Sequence, residues 1–142
     1  MNKEEYINKR VCCQIDWHSK KATINKRWFI FISIFSIIVS FIVSITIKIC
    51  GEISFYISFI VPLCSSILTL LNFKEKWNLY RSTEEILKSE LFKFKTQVGK
   101  YSNDENSFEI FVDTIENILK NNNEKWIQFQ FDESKKFLSN VD

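Results

Sequence analysis

The sequence predicts an all-α integral membrane protein: a two-helix transmembrane hairpin joined to a cytoplasmic helical bundle. That bundle would consist of a long helix continuing from the second span plus a C-terminal amphipathic helix. Three observations lead to this reading. The stretches Trp28–Ile47 and Ile53–Phe73 hold no charged residue over twenty and twenty-one positions, each enough for the ~20 residues a helix needs to cross ~30 Å of hydrocarbon. Beyond the second stretch the apolar residues become periodic, at alternating spacings of four and three. The 142 residues include only 2 Gly and 1 Pro, too little punctuation for a turn-rich β sandwich or barrel.

Composition sets the outer limits. Hydrophobic residues make up 46% and aromatics 15% of the chain, which excludes collagen-like, linker-like and broadly disordered classes. Nineteen basic and seventeen acidic residues leave a net charge of +2, too balanced for a nucleic-acid footprint, so no nucleic-acid partner is expected. The mean hydropathy of -0.08 resembles that of a soluble protein. The mean conceals how strongly the apolar residues are concentrated.

Along the chain, residues 1–27 read as a cytoplasmic N-terminal helix, with Tyr6, Val11, Ile15 and Trp17 leading into a first span at 28–47. Residues 48–52, Lys48-Ile49-Cys50-Gly51-Glu52, form a short extracytoplasmic turn, and 53–73 the second span. A signal peptide does not fit, because the first apolar run starts at residue 28, is too long and lacks an A-x-A site. Two core helices of a soluble protein would need more cover than the remaining residues supply. The runs are also far longer than strands. Lys20, Lys21, Lys26 and Arg27 precede the first span and Lys74, Lys76, Arg81 and Lys88 follow the second, whereas the turn has Lys48 beside Glu52. That asymmetry predicts an inner or plasma membrane location, multi-pass, with both termini cytoplasmic.

Residues 74–142 form the cytoplasmic helical region. Phe73, Trp77, Tyr80, Leu87, Leu91, Phe94 and Val98 make a coiled-coil-like seam, with Glu84 at its one polar position. The spacing predicts a helix from Asn72 to Val98, continuous with the second span and ended by Gly99. A turn at 102–106 leads to a second amphipathic helix bearing Phe108, Phe111, Val112, Ile115, Ile118 and Leu119. Asn121-Asn122-Asn123 predicts a break, after which Trp126, Phe129 and Phe137 add contacts.

The chemistry-bearing residues are sparse. The chain has one histidine, His18, and no phosphate-binding glycine motif is possible with two glycines. Asp16, His18 and Ser19 adjoin in sequence, which is no sign of a triad. No enzyme activity, catalytic residue, cofactor or metal is expected. The four cysteines match no metal or disulfide framework and read as free thiols; Cys50 in an intersubunit disulfide and acylation of Cys12 or Cys13 are the alternatives.

Polar stripes mark both spans. Ser33, Ser36, Ser40 and Ser44 lie within about 80° of arc on the first helix, and Ser54, Ser58, Pro62, Ser65, Thr69 and Asn72 within about 80° on the second. Small hydroxyl residues let helices approach and bond in lipid, so packing is one reading. The other is that Ser33, Ser36, Ser40, Ser44, Ser54, Ser58, Ser65, Thr69 and Asn72 line a pore. Pro62 removes the N–H that would pair the Ser58 carbonyl. No ionisable residue sits inside either span, so proton relay and voltage sensing are not expected.

The segment Ile15-Asp16-Trp17-His18-Ser19-Lys20-Lys21-Ala22 with Asn25, and the stretch Trp77-Asn78-Leu79-Tyr80-Arg81-Ser82-Thr83-Glu84-Glu85-Ile86-Leu87-Lys88-Ser89-Glu90, resemble the DUF4231 family, part of the SLATT group of two-helix membrane proteins. The second stretch is similar to that family's W-x-x-Y-R-x-x-x-E-x-L-K-x-E signature, and Gly99-Lys100-Tyr101, Phe111, Glu116 and Trp126 continue the likeness. It covers about residues 15–130 and implies a bacterial membrane effector, of a kind proposed to form pores and associated with nucleotide-signalling defence. Trp17, Lys21, Asn25, Trp77, Tyr80, Arg81, Glu84, Leu87, Glu90, Tyr101, Phe111, Glu116 and Trp126 are then the candidate assembly residues. Arg81 would pair with Glu84 or Glu85 along the helix, and Glu84 would meet Lys21 or a neighbour's Arg81 to fix register.

Two functions follow as expectations. One is a homo-oligomeric channel in the lipid bilayer, with four or more subunits because two helices cannot enclose a conduit, passing ions under a cytoplasmic regulatory partner. The alternative is a non-conducting scaffold that recruits a cytoplasmic protein.

Overall fold

The computed structural model describes residues 2–47, 51–102 and 106–139, with the side chains of 129, 130 and 132–139 excepted. It is helical, with no strand among the described residues. The elements are α1 (Lys3–Tyr6), a π-helical turn (Ile7–Cys12), α2 (Cys13–Thr46), α3 (Gly51–Ser58), α4 (Ile60–Leu71), α5 (Phe73–Lys95), a 3₁₀ turn (Gly99–Tyr101) and α6 (Ser107–Ser139). Two helical stretches are long and apolar enough to cross a membrane, Lys3–Thr46 and Gly51–Tyr101. The chain divides into two compact units, one of residues 1–19 with 81–142, the other of residues 20–80.

The unit of residues 20–80 contains both charge-free stretches. Its most apolar windows are only 6% and 11% buried, so the side chains face outward, unlike core helices. Ser54, Val39 and Cys64 are buried, and the Ser54 hydroxyl donates to Thr46 Oγ1 at 2.9 Å. The second stretch is not one smooth helix. It is interrupted at Phe59, three residues before Pro62, whose ring nitrogen carries no N–H to close the turn. It is interrupted again at Asn72, which adopts a left-handed conformation (φ 44°, ψ 43°) between α4 and α5. The predicted continuity through Asn72 is therefore corrected: Asn tolerates this conformation better than other residues with a Cβ, and its carbonyl accepts from the Lys76 N–H at 3.1 Å. Cys50 and Lys48 lie outside the described residues.

The unit of residues 1–19 and 81–142 has an aromatic core. Tyr6, Val11 and Ile15 from the N-terminal helices pack with Leu87 and Phe94 of α5, Tyr101, and Phe111 and Ile115 of α6. Phe94 stacks on Phe111 with centroids 4.2 Å apart, while Tyr6 and Tyr101 meet Phe111 edge-on. Such pairs contribute ~0.5–1.5 kcal/mol each beyond the area they bury. Thr83 on α5 bonds Asn122 on α6. Stepping eleven residues back along α5 from Phe94 thus matches stepping eleven forward along α6 from Phe111, the register of an antiparallel pair.

Two boundaries differ from the sequence reading. The helix α5 ends at Lys95, and Val98 lies beyond it, exposed. Gln97, not Gly99, takes the left-handed C′ position (φ 52°). Its N–H donates to the Phe94 carbonyl at 3.3 Å and the Val98 N–H to the Lys93 carbonyl at 3.1 Å, the two bonds of a Schellman cap. Gly99, also at positive φ (70°), opens the following turn. The expected break at Asn121-Asn122-Asn123 does not occur: α6 runs through it, because the Asn122 side chain is held by Thr83 and His18. Since Gln pays for a left-handed backbone that Gly adopts freely, Gln97→Gly should raise stability by ~0.5–1 kcal/mol; thermal unfolding of the detergent-solubilised protein measures it, with Gln97→Val lowering the melting temperature.

Candidate functional site

The functional candidates of the first unit converge on carboxylates between helices. Glu84, 1% exposed, falls on the buried face of α5 with Thr83 and Leu87. Its Oε1 accepts from Lys88 Nζ at 2.6 Å and its Oε2 from Arg81 Nη1 at 3.1 Å, while Arg81 Nη2 reaches Glu85 at 2.8 Å. Burial alone would favour the neutral acid, but Lys88, the Ser19 hydroxyl and Arg81 outweigh it and hold the carboxyl below its usual range. The charged partners of Glu84 are thus cations one turn either side on its own helix, with the Ser19 hydroxyl of α2 as a neutral partner.

Glu90, next along α5, has the same logic. Against the opposing effect of burial, Lys93, Tyr101 and Lys100 bring its carboxyl down to about 2; the Tyr101 hydroxyl donates to it at 2.8 Å and Lys100 Nζ lies at 3.1 Å. Burial, followed by this bond to Glu90, pushes the Tyr101 phenol up. On α6, Glu116 receives a bidentate pair from Arg10, at 3.1 and 3.0 Å, and the Tyr6 hydroxyl at 3.0 Å. The Arg10 bond is the leading cause of its lowered carboxyl.

His18 is the residue whose role the sequence reading missed. It is 2% exposed, and Val11, Ile15, His18 and Ala22 are buried at 4-3-4 spacing, a helical face on which the imidazole stands at an apolar position. Asn122 likewise continues the Phe111–Ile115–Ile118 period of α6. These two breaks in periodicity were the available signal. Nδ1 lies 2.7 Å from the Gln14 carbonyl, which requires the proton on Nδ1, so Nε2 accepts from Asn122 Nδ2 at 3.2 Å. The Thr83 hydroxyl donates to Asn122 Oδ1 at 2.9 Å. Three helices, α2, α5 and α6, therefore meet through one neutral imidazole. Burial pushes the His18 pKa down, against the Gln14 carbonyl and the Glu84 charge.

Other candidates fall in different settings. Trp17 sets its ring edge-on to His18 at 4.8 Å; Leu87 and Phe111 are core; Trp126 is half-buried. In the unit of residues 20–80, Asn25 Nδ2 donates to the Lys21 carbonyl at 2.8 Å, Trp77 lies beneath Lys26 Nζ at 5.2 Å, and burial pushes the Tyr80 phenol up.

The hydroxyl stripes divide. Ser54 is buried, and Ser33, Ser36, Ser58 and Asn72 are half-buried, whereas Ser40, Ser44, Ser65 and Thr69 are exposed. The exposed four each donate to the carbonyl four residues back, at 2.8, 2.9, 3.1 and 2.9 Å. Each keeps its oxygen lone pairs outward and leaves no donor bare. Cys12, Cys13 and Cys64 are free thiols. No cluster of three metal-ligating side chains occurs among the described residues.

Two predictions follow. A histidine with a lowered folded pKa stabilises the fold above its unfolded value of 6.5 and loses that contribution as pH falls through the folded value. The melting temperature should drop by about a few degrees from pH 7.5 to 5.5, above the range where Glu84, Glu90 and Glu116 protonate, and His18→Gln should flatten this dependence. Glu84→Gln should cost ~1–3 kcal/mol, since it leaves a buried amide among cation donors; Glu85→Gln should cost under ~0.5 kcal/mol.

No curated protein and no solved structure matches the chain. A family model described as a protein of unknown function (DUF4231) matches residues 13–109. The match contains the Trp17–Asn25 segment, both apolar stretches, the Trp77–Glu90 stretch and Tyr101; Phe111, Glu116 and Trp126 lie past its end. Covering about two thirds of the sequence, it shows that the chain belongs to the DUF4231 family.

Proposed function

We propose that the chain is a homo-oligomeric membrane channel or pore-forming protein, with a SLATT-like effector role, both termini in the cytoplasm and residues 1–19 with 81–142 setting assembly or gating. The observation that carries this reading is the set of exposed hydroxyls Ser40, Ser44, Ser65 and Thr69 in two uncharged, largely apolar stretches. A single copy leaves these oxygens facing outward. In an oligomer of roughly four or more copies they would offer ions and water a ring of neutral acceptors, a weakly selective lining. The pairing of buried Glu84 with the half-exposed Arg81 and Lys88 supports a rigid unit to which a regulatory partner would couple.

A second reading, a non-conducting scaffold, is favoured by one feature. The same four hydroxyls already donate within their own helices, so lipid would not leave their donors unpaired.

Ion flux and single-channel current from the purified protein in liposomes, with its detergent-corrected mass, separate the two. The channel reading expects discrete currents from an oligomer of four or more, and a change in conductance of about two-fold or greater when Ser40, Ser44, Ser65 or Thr69 is replaced by Leu. A dimer without flux would favour the scaffold, and currents unaltered by all four replacements would reject this lining.

A further inference from the structure

A cleft of about 420 Å³ opens beside α2, lined by Ile24, Arg27, Trp28 and Phe31. These positions are spaced three, one and three residues apart, so they fall on one helical stripe within about 100°. Its apolar part is aromatic and ordered: Trp28 and Phe31 meet edge-on at 6.2 Å and Phe31 stacks against Phe35 at 6.5 Å. Ile24, Trp28 and Phe31 are 50%, 52% and 63% exposed. The stripe crosses the point where charge stops, because Arg27 is the last charged residue before the uncharged Trp28–Ile47 run.

The two neighbouring cations differ. Lys26 sits over the Trp77 ring, whereas Arg27 is exposed and has no ion pair or hydrogen bond among the described residues. A guanidinium matches a phosphate with two parallel N–H donors, and an aromatic stripe running from it into the apolar run matches an acyl chain. A water-soluble phosphate would use only the first feature, and a neutral lipid only the second.

We infer that the Ile24–Arg27–Trp28–Phe31 cleft is a binding site for one anionic phospholipid, its phosphate on Arg27 and an acyl chain along Trp28, Phe31 and Phe35. The inference rests on the membrane reading above and adds a lipid headgroup preference to it. The site would couple the protein to the anionic lipid content of its membrane.

The full chain in phosphatidylcholine vesicles tests this with brominated lipids, which quench tryptophan on contact. One vesicle set contains brominated phosphatidylglycerol, the other brominated phosphatidylcholine at the same mole fraction, and the Trp28 signal is the difference between wild type and Trp28→Phe. The expected result is stronger quenching by the anionic lipid, an excess that falls about five-fold in Arg27→Gln and is partly kept in Arg27→Lys. Equal quenching by both lipids overturns the site, as does an excess that survives Arg27→Gln or is lost equally in Lys20→Gln, which would assign it to general surface charge. Quenching by brominated phosphatidylcholine in Arg27→Gln reports that the variant is inserted; absence of quenching by either lipid in the wild type overturns the membrane reading, and this one with it.

Discussion

Phe41 and Tyr56, 68% and 73% exposed within the charge-free stretches Trp28–Ile47 and Ile53–Phe73, have to be covered by something other than water, because contiguous apolar surface of this extent does not persist in solution. Much else in the chain answers to that constraint. It explains why the stretches are helices, the one open-ended secondary structure that pairs its own backbone. It explains why the exposed hydroxyls of Ser40, Ser44, Ser65 and Thr69 turn back on the carbonyls of their own helices. It also explains why breaks are confined to places where a particular residue forces or tolerates them, near Pro62 and at Asn72.

Much of this was legible in the sequence, for physical reasons that also mark where legibility stopped. An uncharged run of hydrocarbon length, or a 4-3 apolar seam, is a collective property of many residues, so the long helices and the buried Leu87 and Phe94 could be read directly. Helix ends depend on one backbone conformation. Gln97 in a left-handed cap carries no compositional sign, and the nearby Gly99 drew the expected cap two residues, and the helix end three residues, too far. Asn121–Asn123 read as a break because asparagine competes with helix hydrogen bonding through its side chain; here the Asn122 amide is occupied by a tertiary contact instead.

The site was legible by half. Glu84 stood out as a charge in an apolar seam, and its burial and pairing are what that position demands. His18 and Asn122 did not stand out, since a polar residue on an apolar face is visible only once the face has been assigned. Within the 1–19 and 81–142 unit, the family match and the contacts overlap incompletely: Glu84, Glu90 and Tyr101 lie inside the matched region, whereas Tyr6, Arg10 and Glu116 all lie outside it. The Tyr6–Arg10–Glu116 clasp thus ties the chain's two flanks to each other around a shared centre.

The solitary imidazole has a practical corollary. With one histidine in 142 residues, and that one wedged between α2, α5 and α6 with a defined tautomer, its ring resonances would stand alone in a nuclear magnetic resonance spectrum. A signal from Nε2 would distinguish the amide-bonded ring of the assembled helices from a solvated ring after they part. The molecule thus carries a built-in label at the junction of its three long helices, readable without mutation or added probe in any lipid or partner-bound state.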